Sequence, residues 1–310
     1  MKKIFIDGAA GTTGLRIFDR LSERRDLDLI VLPDEDRKDP GKRKEALNAA
    51  DAAFLCLPDD ASREAVSMIE NPDVVVIDTS TAHRVAPGWV YGFPEIGGRR
   101  ELIRASRRIA NPGCHASGFV ALVAPLLAAG AISPDARLSA FSLTGYSGGG
   151  KKMIAAYEAL DRPALFDAPR LYGLTQNHKH LPEMKEITGL LHAPVFCPIV
   201  APYYAGMEVV VPLFREEMLI APEKLGEIYR EAYSGSSGVV SFREDADEAG
   251  FLSAGAFSGR DDMEIALFGN QDRILLAARF DNLGKGASGA AIQNMNLALG
   301  FEETRGLVLA

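Results

Sequence analysis

The sequence predicts an α/β protein made of a doubly wound parallel sheet and a second, α+β domain with a mixed sheet. Three observations carry this. The chain has 310 residues, beyond the ~250–300 at which one hydrophobic core stops growing. Short apolar runs alternate with helix-patterned segments as far as Asn111. Past Asn111 the alternation gives way to longer mixed segments punctuated by glycines.

Lys2–Asp7 is a β-branched and aromatic run that stops at Gly8, a strand entering a turn. Thr13–Ser22 repeats Leu15, Ile17, Phe18 and Leu21 at helical spacing. Leu27–Leu32 is a second strand ended by Pro33, Lys42–Ala50 a helix, and Ala52–Leu57 a third strand closed by Pro58. Ser62–Glu70 is helical again, and Val74–Ile77 is a fourth strand before Asp78. Strands and helices joined by short turns give a parallel sheet that binds ligands beyond the carboxyl ends of its strands. In the second part, Gly118–Ala129 is apolar on all sides, a buried helix bent by Pro125 and ended by Gly130. Pro194–Phe214 mixes Val, Ile and Phe with prolines, which suggests edge strands. Arg273–Phe280 is a further strand. Ser288–Leu299 sets Ala291, Ile292, Met295 and Leu299 on one side, a stripe expected to return to the first domain. The domains expected are therefore 1–113 with 285–310, and 114–284.

Hydrophobic residues make up 47% and charged residues 25%, which excludes a disordered or collagenous chain. The net charge of -8 has the wrong sign for a surface that grips nucleic acid, and an anionic substrate would need a local basic pocket. Cys56, Cys114 and Cys197 are too few and odd in number for a disulfide framework, which suits a reducing compartment. The apolar run Ile4–Ile6 is cut by Asp7 and Gly8, and no stretch approaches the ~18 apolar residues of a spanning helix. A cytoplasmic protein with neither nucleic-acid nor membrane partners is expected.

Residues 8–14 read GAAGTTG, with Gly8, Gly11 and Gly14 between the first strand and first helix. Such a turn needs unusual dihedrals, and its amides must approach a diphosphate at a helix N-terminus. The GxxGxxG spacing departs from the commoner GxGxxG, but strand and helix flank it as a dinucleotide site requires. After the second strand, Asp34, Glu35 and Asp36 would suit a free ribose, and Arg37 and Lys38 a 2'-phosphate. The two cations favour NADP.

Residues 111–118 read NPGCHASG. Cys114 falls just before a helix N-terminus, whose partial positive charge favours the thiolate. Cys56 and Cys197 read as structural. Asn177-His178-Lys179-His180-Leu181-Pro182-Glu183 offers a base, with Glu183 to orient the working imidazole. Imidazoles two residues apart share a face only in extended backbone, so a helix would aim at most one at the thiol. A metal site is disfavoured for want of further ligands. Thr144–Lys152, TGYSGGGKK, is an anion-binding loop with Lys151 and Lys152 as its charges.

With these residues assembled, the chain resembles the shorter form of N-acetyl-gamma-glutamyl-phosphate reductase over nearly its whole length. The motifs occur in order: GAAGTTG, VIDTSTAHR at 76–84, YGFPEI at 91–96, NPGCHASG, SGGGKK, NHKHLPEM, and DNLGKGASGAAIQNMNLALG at 281–300. The resemblance implies an NADP-dependent reductase of arginine biosynthesis. Its Rossmann-type domain would be completed by the C-terminal helix, and it would assemble as a homodimer or homotetramer. It implies that Cys114 attacks the acyl phosphate and expels inorganic phosphate, leaving a thioester, with His180 as acid/base and His178 and Glu183 in support. Asn111, Ser147, Lys151, Lys152 and Arg84 are then expected at the substrate. Gly8, Gly11, Thr12, Thr13, Gly14, Arg37, Lys38, Pro58, Ser80, Gly148 and Asn282 are expected at the cofactor, with no metal. The chain departs from the family in having His115 where a tyrosine is usual, Ser117 for threonine, and Lys151 where longer members carry arginine.

Other readings fit parts of the sequence. A related reductase of aspartyl phosphate or an aminoadipyl analogue uses the same chemistry. A non-catalytic NADP sensor needs the glycine turn but neither Cys114 nor His180, and a cysteine hydrolase leaves GAAGTTG unexplained.

Overall fold

The apolar run that begins the chain becomes β1 (Lys2–Asp7), whose last four residues are buried. In the computed structural model, which describes residues 1–310, the elements that follow are α1 (Thr12–Ser22), β2 (Leu27–Ile30), α2 (Pro40–Ala49), β3 (Ala52–Leu55), α3 (Asp59–Ser67) and β4 (Val75–Asp78). Then come β5 (Val90–Tyr91), α4 (Arg99–Ala105), β6 (Arg108–Ala110), α5 (Cys114–Ala128), β7 (Ser139–Gly145), α6 (Gly150–Glu158) and β8 (Arg170–Leu171). The remainder is α7 (Leu181–Thr188), β9 (Val195–Ala201), β10 (Met207–Phe214), α8 (Leu225–Tyr233), β11 (Val240–Arg243), β12 (Met263–Gly269), β13 (Arg273–Phe280) and α9 (Gly289–Leu299). No helix is long and apolar enough to cross a membrane.

The chain divides into two units. The first comprises residues 1–94, 98–112 and 287–307. It holds a six-stranded sheet in the order β2-β1-β3-β4-β6-β5, with every pairing parallel. Strands buried on both faces explain the unbroken apolar runs at Ala52–Leu55 and 75–77. One layer packs Ile4, Ile17, Leu21, Phe54 and Ile77 with Ala291, Ile292 and Met295 of α9. The other packs Phe5, Leu47, Leu55, Ala65 and Val76. Each fully buried Leu, Ile or Phe contributes ~1.5–3 kcal/mol.

The second unit comprises residues 95–97, 113–286 and 308–310. Its seven-stranded sheet runs β11-β12-β13-β10-β7-β9-β8 and mixes parallel and antiparallel pairs. The inner face, including Ser142, Val209, Val211, Leu276 and Phe280, is buried. α5 lies against β10 and β13, and it begins at Cys114 itself rather than beyond it.

The prolines misled the sequence reading, because β9 and β10 are interior strands and not edges. Pro198 directs its carbonyl toward the Tyr172 amide beside the two-residue β8, so its missing N–H falls where the ladder is short. Pro212 lies beyond Val210, where pairing with β7 stops. The glycines of Thr144–Lys152 lie between β7 and α6. They make a 3-10 turn, Tyr146–Gly149, that leads directly into α6.

Candidate active site

In the first unit, Gly8 turns the chain with φ +87, and a Cβ there would sit 2.3 Å from the Cys56 carbonyl oxygen. Only glycine therefore fits between β1 and β3, where the sheet order reverses, the place at which doubly wound folds bind nucleotides. α1 begins at Thr12 with Gly11 as its N-cap, so no side chain competes for the opening amides. Thr12 Oγ1 is shielded from solvent and has no partner in the protein. Thr13 and the buried Gly14 complete the first turn of α1.

A cavity of about 490 Å³ opens from this turn and is lined by Asp7, Gly8, Ala10, Arg37, Lys38 and Arg43 among others. An orphaned hydroxyl, open amides and clustered cations fit a dinucleotide carrying an extra phosphate. Arg37 also pairs with Asp34 at 2.8 Å, an exposed contact. Sequence reasoning missed Arg43. Its Nη2 bonds Asp7 Oδ2 at 2.9 Å and its Nη1 reaches Glu64 at 3.3 Å. Burial pushes the Asp7 carboxyl up against the opposing pull of Arg43. An arginine in a helix of polar residues gave no signal of this inward role.

Several expected ligand residues are engaged within the first unit. Ser80 donates its hydroxyl to Asp78 Oδ2 at 2.8 Å and accepts from the Ala82 amide, fixing the turn after β4. Pro58 is the N-cap of α3. Arg84 donates to the carbonyls of Asn111 and Thr79, both at 3.1 Å. The Asn111 side chain donates to the Ala287 carbonyl at 3.0 Å and accepts from Asn294 at 3.1 Å.

The second unit gathers the reactive set. Cys114 is the first residue of α5, and Gly113 is its N-cap. The Gly113 amide donates to Glu183 Oε2 at 2.9 Å, which fastens this turn to α7. His180 is the N-cap of α7, and its amide donates to His178 Nδ1 at 3.3 Å. His178–His180 is a turn, neither helix nor strand. The limit of one inward imidazole held only for a helix, and in this turn the two rings lie together. Their ring centroids lie 4.8 Å apart and 5.7 and 5.5 Å from that of His115. Burial holds the His115 imidazole neutral, with its pKa pushed down to about 3. His115 is thus unsuited to act as a second base near neutral pH.

Ser147 is buried, and its hydroxyl accepts from Asn282 Nδ2 at 3.0 Å while Asn282 Oδ1 accepts from the Gly206 amide at 2.9 Å. Gly148 lies beside Asn282. Lys151 and Lys152 are exposed in the first turn of α6. A further pair escaped sequence reasoning. Lys285 Nζ meets Glu95 Oε1 at 2.7 Å with side chains 1% and 0% exposed. Both residues stand in quoted motifs, YGFPEI and DNLGKGAS, and that was the available signal. Next to Lys285, a Cβ on Gly286 would come within 2.9 Å of Cys114 Cβ, so glycine is what lets that turn reach the thiol. No cluster of three His, Cys, Asp or Glu side chains is arranged to hold a metal ion.

Residues 34–105 match the semialdehyde dehydrogenase NAD binding domain family, and residues 114–282 match the semialdehyde dehydrogenase dimerisation domain family. The chain is 45% identical to N-acetyl-gamma-glutamyl-phosphate reductase 2 of Pseudomonas putida, covering 98% of each chain. It is 47% identical to the N-acetyl-gamma-glutamyl-phosphate reductase of Brucella ovis, covering 96% of this chain and 99% of that one. Among solved structures, a probable aspartate-semialdehyde dehydrogenase from Pseudomonas aeruginosa superposes with a TM-score of 0.71 at 18% identity, over 96% and 98% of the two chains. Aspartate semialdehyde dehydrogenase with NADP from Candida albicans gives a TM-score of 0.67 at 16% identity, over 97% and 99%. At such identities the structural likeness speaks for the fold alone.

Proposed function

The chain belongs to the N-acetyl-gamma-glutamyl-phosphate reductase family of semialdehyde dehydrogenases, and on that footing we propose how its residues divide the reaction. It is an NADP-dependent oxidoreductase that reduces N-acetyl-gamma-glutamyl phosphate to N-acetyl-glutamate semialdehyde and releases phosphate, a step of arginine biosynthesis. The observation that supports the division of labour best is Cys114 at the first position of α5, in the unit that also gathers His178 and His180.

Cys114, favoured as thiolate at the helix N-terminus, attacks the acyl carbon, and the bond to the phosphate oxygen breaks. Inorganic phosphate leaves and a thioester remains on Cys114. NADPH supplies the hydride that this electrophilic carbonyl accepts. The resulting thiohemiacetal on Cys114 collapses to the aldehyde as His180 moves its proton, which frees the thiol. His178 holds His180 through its amide, and Glu183 holds the Cys114 turn.

The first unit is the NADP-binding domain in this proposal. Gly8, Gly11, Thr12, Thr13 and Gly14 cradle the diphosphate, and Arg37 and Lys38 take the 2'-phosphate. Pro58 and Ser80 shape the turns at the strand ends, and Gly148 and Asn282 are read as further cofactor residues. Lys151 and Lys152 offer positive charge to the acyl phosphate, and Ser147, Asn111 and Arg84 are read as further substrate residues. The protein is read as a cytoplasmic homo-oligomer. Self-association through the outer face of the seven-stranded sheet is supported by its half-exposed apolar residues, Phe141 at 43% and Leu275 at 44%.

A steady-state assay with phosphate, N-acetyl-glutamate semialdehyde and NADP tests the proposal. Activity is expected, with Cys114→Ser and His180→Ala each inactive, and an active Cys114→Ser enzyme would refute the thioester route.

A further inference from the structure

Two groups beside the nucleophile have no task in the scheme above, Ser142 and Tyr172, and His115 joins them. Ser142 lies on the inner face of β7 and is fully buried. Its Oγ is 2.6 Å from His115 Nδ1, and the Tyr172 hydroxyl is 2.6 Å from His115 Nε2. The Tyr172 amide bonds the Pro198 carbonyl at 3.0 Å, which ties the residue to β9. The Tyr172 ring also lies 5.9 Å from that of His178. Burial keeps the Tyr172 phenol protonated, and negative charge on Cys114 acts in the same direction.

A neutral imidazole has one N–H and one lone pair, so Ser142 and Tyr172 cannot both donate to His115. One arrangement leaves the phenol proton spent on the ring. The other leaves it free. We propose that Ser142, His115 and Tyr172 form a positioning relay. The Ser142 hydroxyl donates to Nδ1, Nε2–H donates to the Tyr172 oxygen, and the Tyr172 proton is thereby committed to the Cys114 thiolate. The other titratable groups gathered at this turn are His178, Lys179, His180, Glu183 and Lys285, and none of them bonds to Ser142. The relay gives His115 a purpose at a position where the related reductases usually carry a tyrosine, and it rests on Cys114 being the nucleophile.

The test compares wild type, Tyr172→Phe and Ser142→Ala. Alkylation of the Cys114 peptide by iodoacetamide is followed against pH, and the His115 tautomer is read by nitrogen-15 NMR of histidine-labelled protein. A hydrogen bond to a charged group carries enough free energy to shift a pKa by about one unit, so both variants should raise the alkylation midpoint by about one pH unit and slow the reaction about tenfold near neutrality. Wild-type His115 should be the Nε2–H tautomer and should pass to Nδ1–H in Ser142→Ala. An unmoved midpoint in Tyr172→Phe, or an Nδ1–H wild type, overturns the relay. If Ser142→Ala does not fold, Tyr172→Phe and the wild-type tautomer still decide. An active Cys114→Ser enzyme would defeat the nucleophile assignment instead, so the two failures are told apart.

Discussion

The Glu183 carboxylate accepts the Gly113 amide hydrogen at 2.9 Å, joining the residue before Cys114 to the helix that His180 caps. One buried side chain therefore sets the spacing of nucleophile and base. Glu183→Ala should leave that amide without its partner at a cost of ~1–3 kcal/mol and lower kcat by about tenfold to a hundredfold. Glu183→Gln retains an acceptor oxygen and should lose less. Thermal unfolding and steady-state kinetics of both variants check this, and equal losses would point to the charge rather than the bond.

Lys285 and Glu95 form an ion pair with almost no solvent exposure. Removing one member strands a buried charge, so Lys285→Met and Glu95→Leu should each destabilise by ~3–5 kcal/mol, while the double variant recovers much of the loss. Denaturant unfolding of the three proteins gives the coupling, and strict additivity would contradict the account.

His115 supplies a pH dependence. Its folded pKa, pushed down to about 3 by burial from 6.5, means that the unfolded chain binds the proton first as pH falls. The stability is therefore complete above the unfolded value and is lost as pH drops toward the folded one. Between pH 7 and 5 the loss amounts to about 2 kcal/mol. Denaturant midpoints of wild type and His115→Tyr across that range should converge at low pH, and parallel profiles would show that His115 is not the cause.

Arg37 and Lys38 line the cavity that opens from the glycine turn. If they hold the 2'-phosphate, Arg37→Ala and Lys38→Ala should each raise KM for NADPH about tenfold to a hundredfold and leave KM for NADH nearly unchanged, since a charge-assisted bond is worth ~1.5–3 kcal/mol. Equal changes for both cofactors would place the phosphate elsewhere, with Arg43 the next residue to test.

The sheet of the first unit was legible because parallel strands buried on both faces write themselves as continuous apolar runs between short turns. Strand ends were read too long at Leu32 and Leu57, where apolar residues continue past the last ladder bond. The second sheet was harder to read, since Pro198 and Pro212 signal edges unless the lengths of the neighbouring strands are known. Within the site, Cys114 and the histidine pair stood out by residue type and neighbourhood. The convergence of His178 and His180 did not, because it depends on a turn that neither periodicity describes. Arg43, Tyr172 and the Lys285–Glu95 pair were hidden for a common reason. Their roles come from partners 36 to 190 positions away along the chain, as with Arg43 and Asp7 or Lys285 and Glu95.

The central claim is that the acyl group passes through Cys114. The most direct measurement is intact-protein and peptide mass spectrometry after mixing the enzyme with N-acetyl-gamma-glutamyl phosphate in the absence of NADPH. The account predicts one N-acetyl-glutamyl group per chain, confined to the Cys114 peptide, released as semialdehyde on adding NADPH and absent from Cys114→Ser. An acyl group on another residue, or turnover by Cys114→Ser, would contradict it.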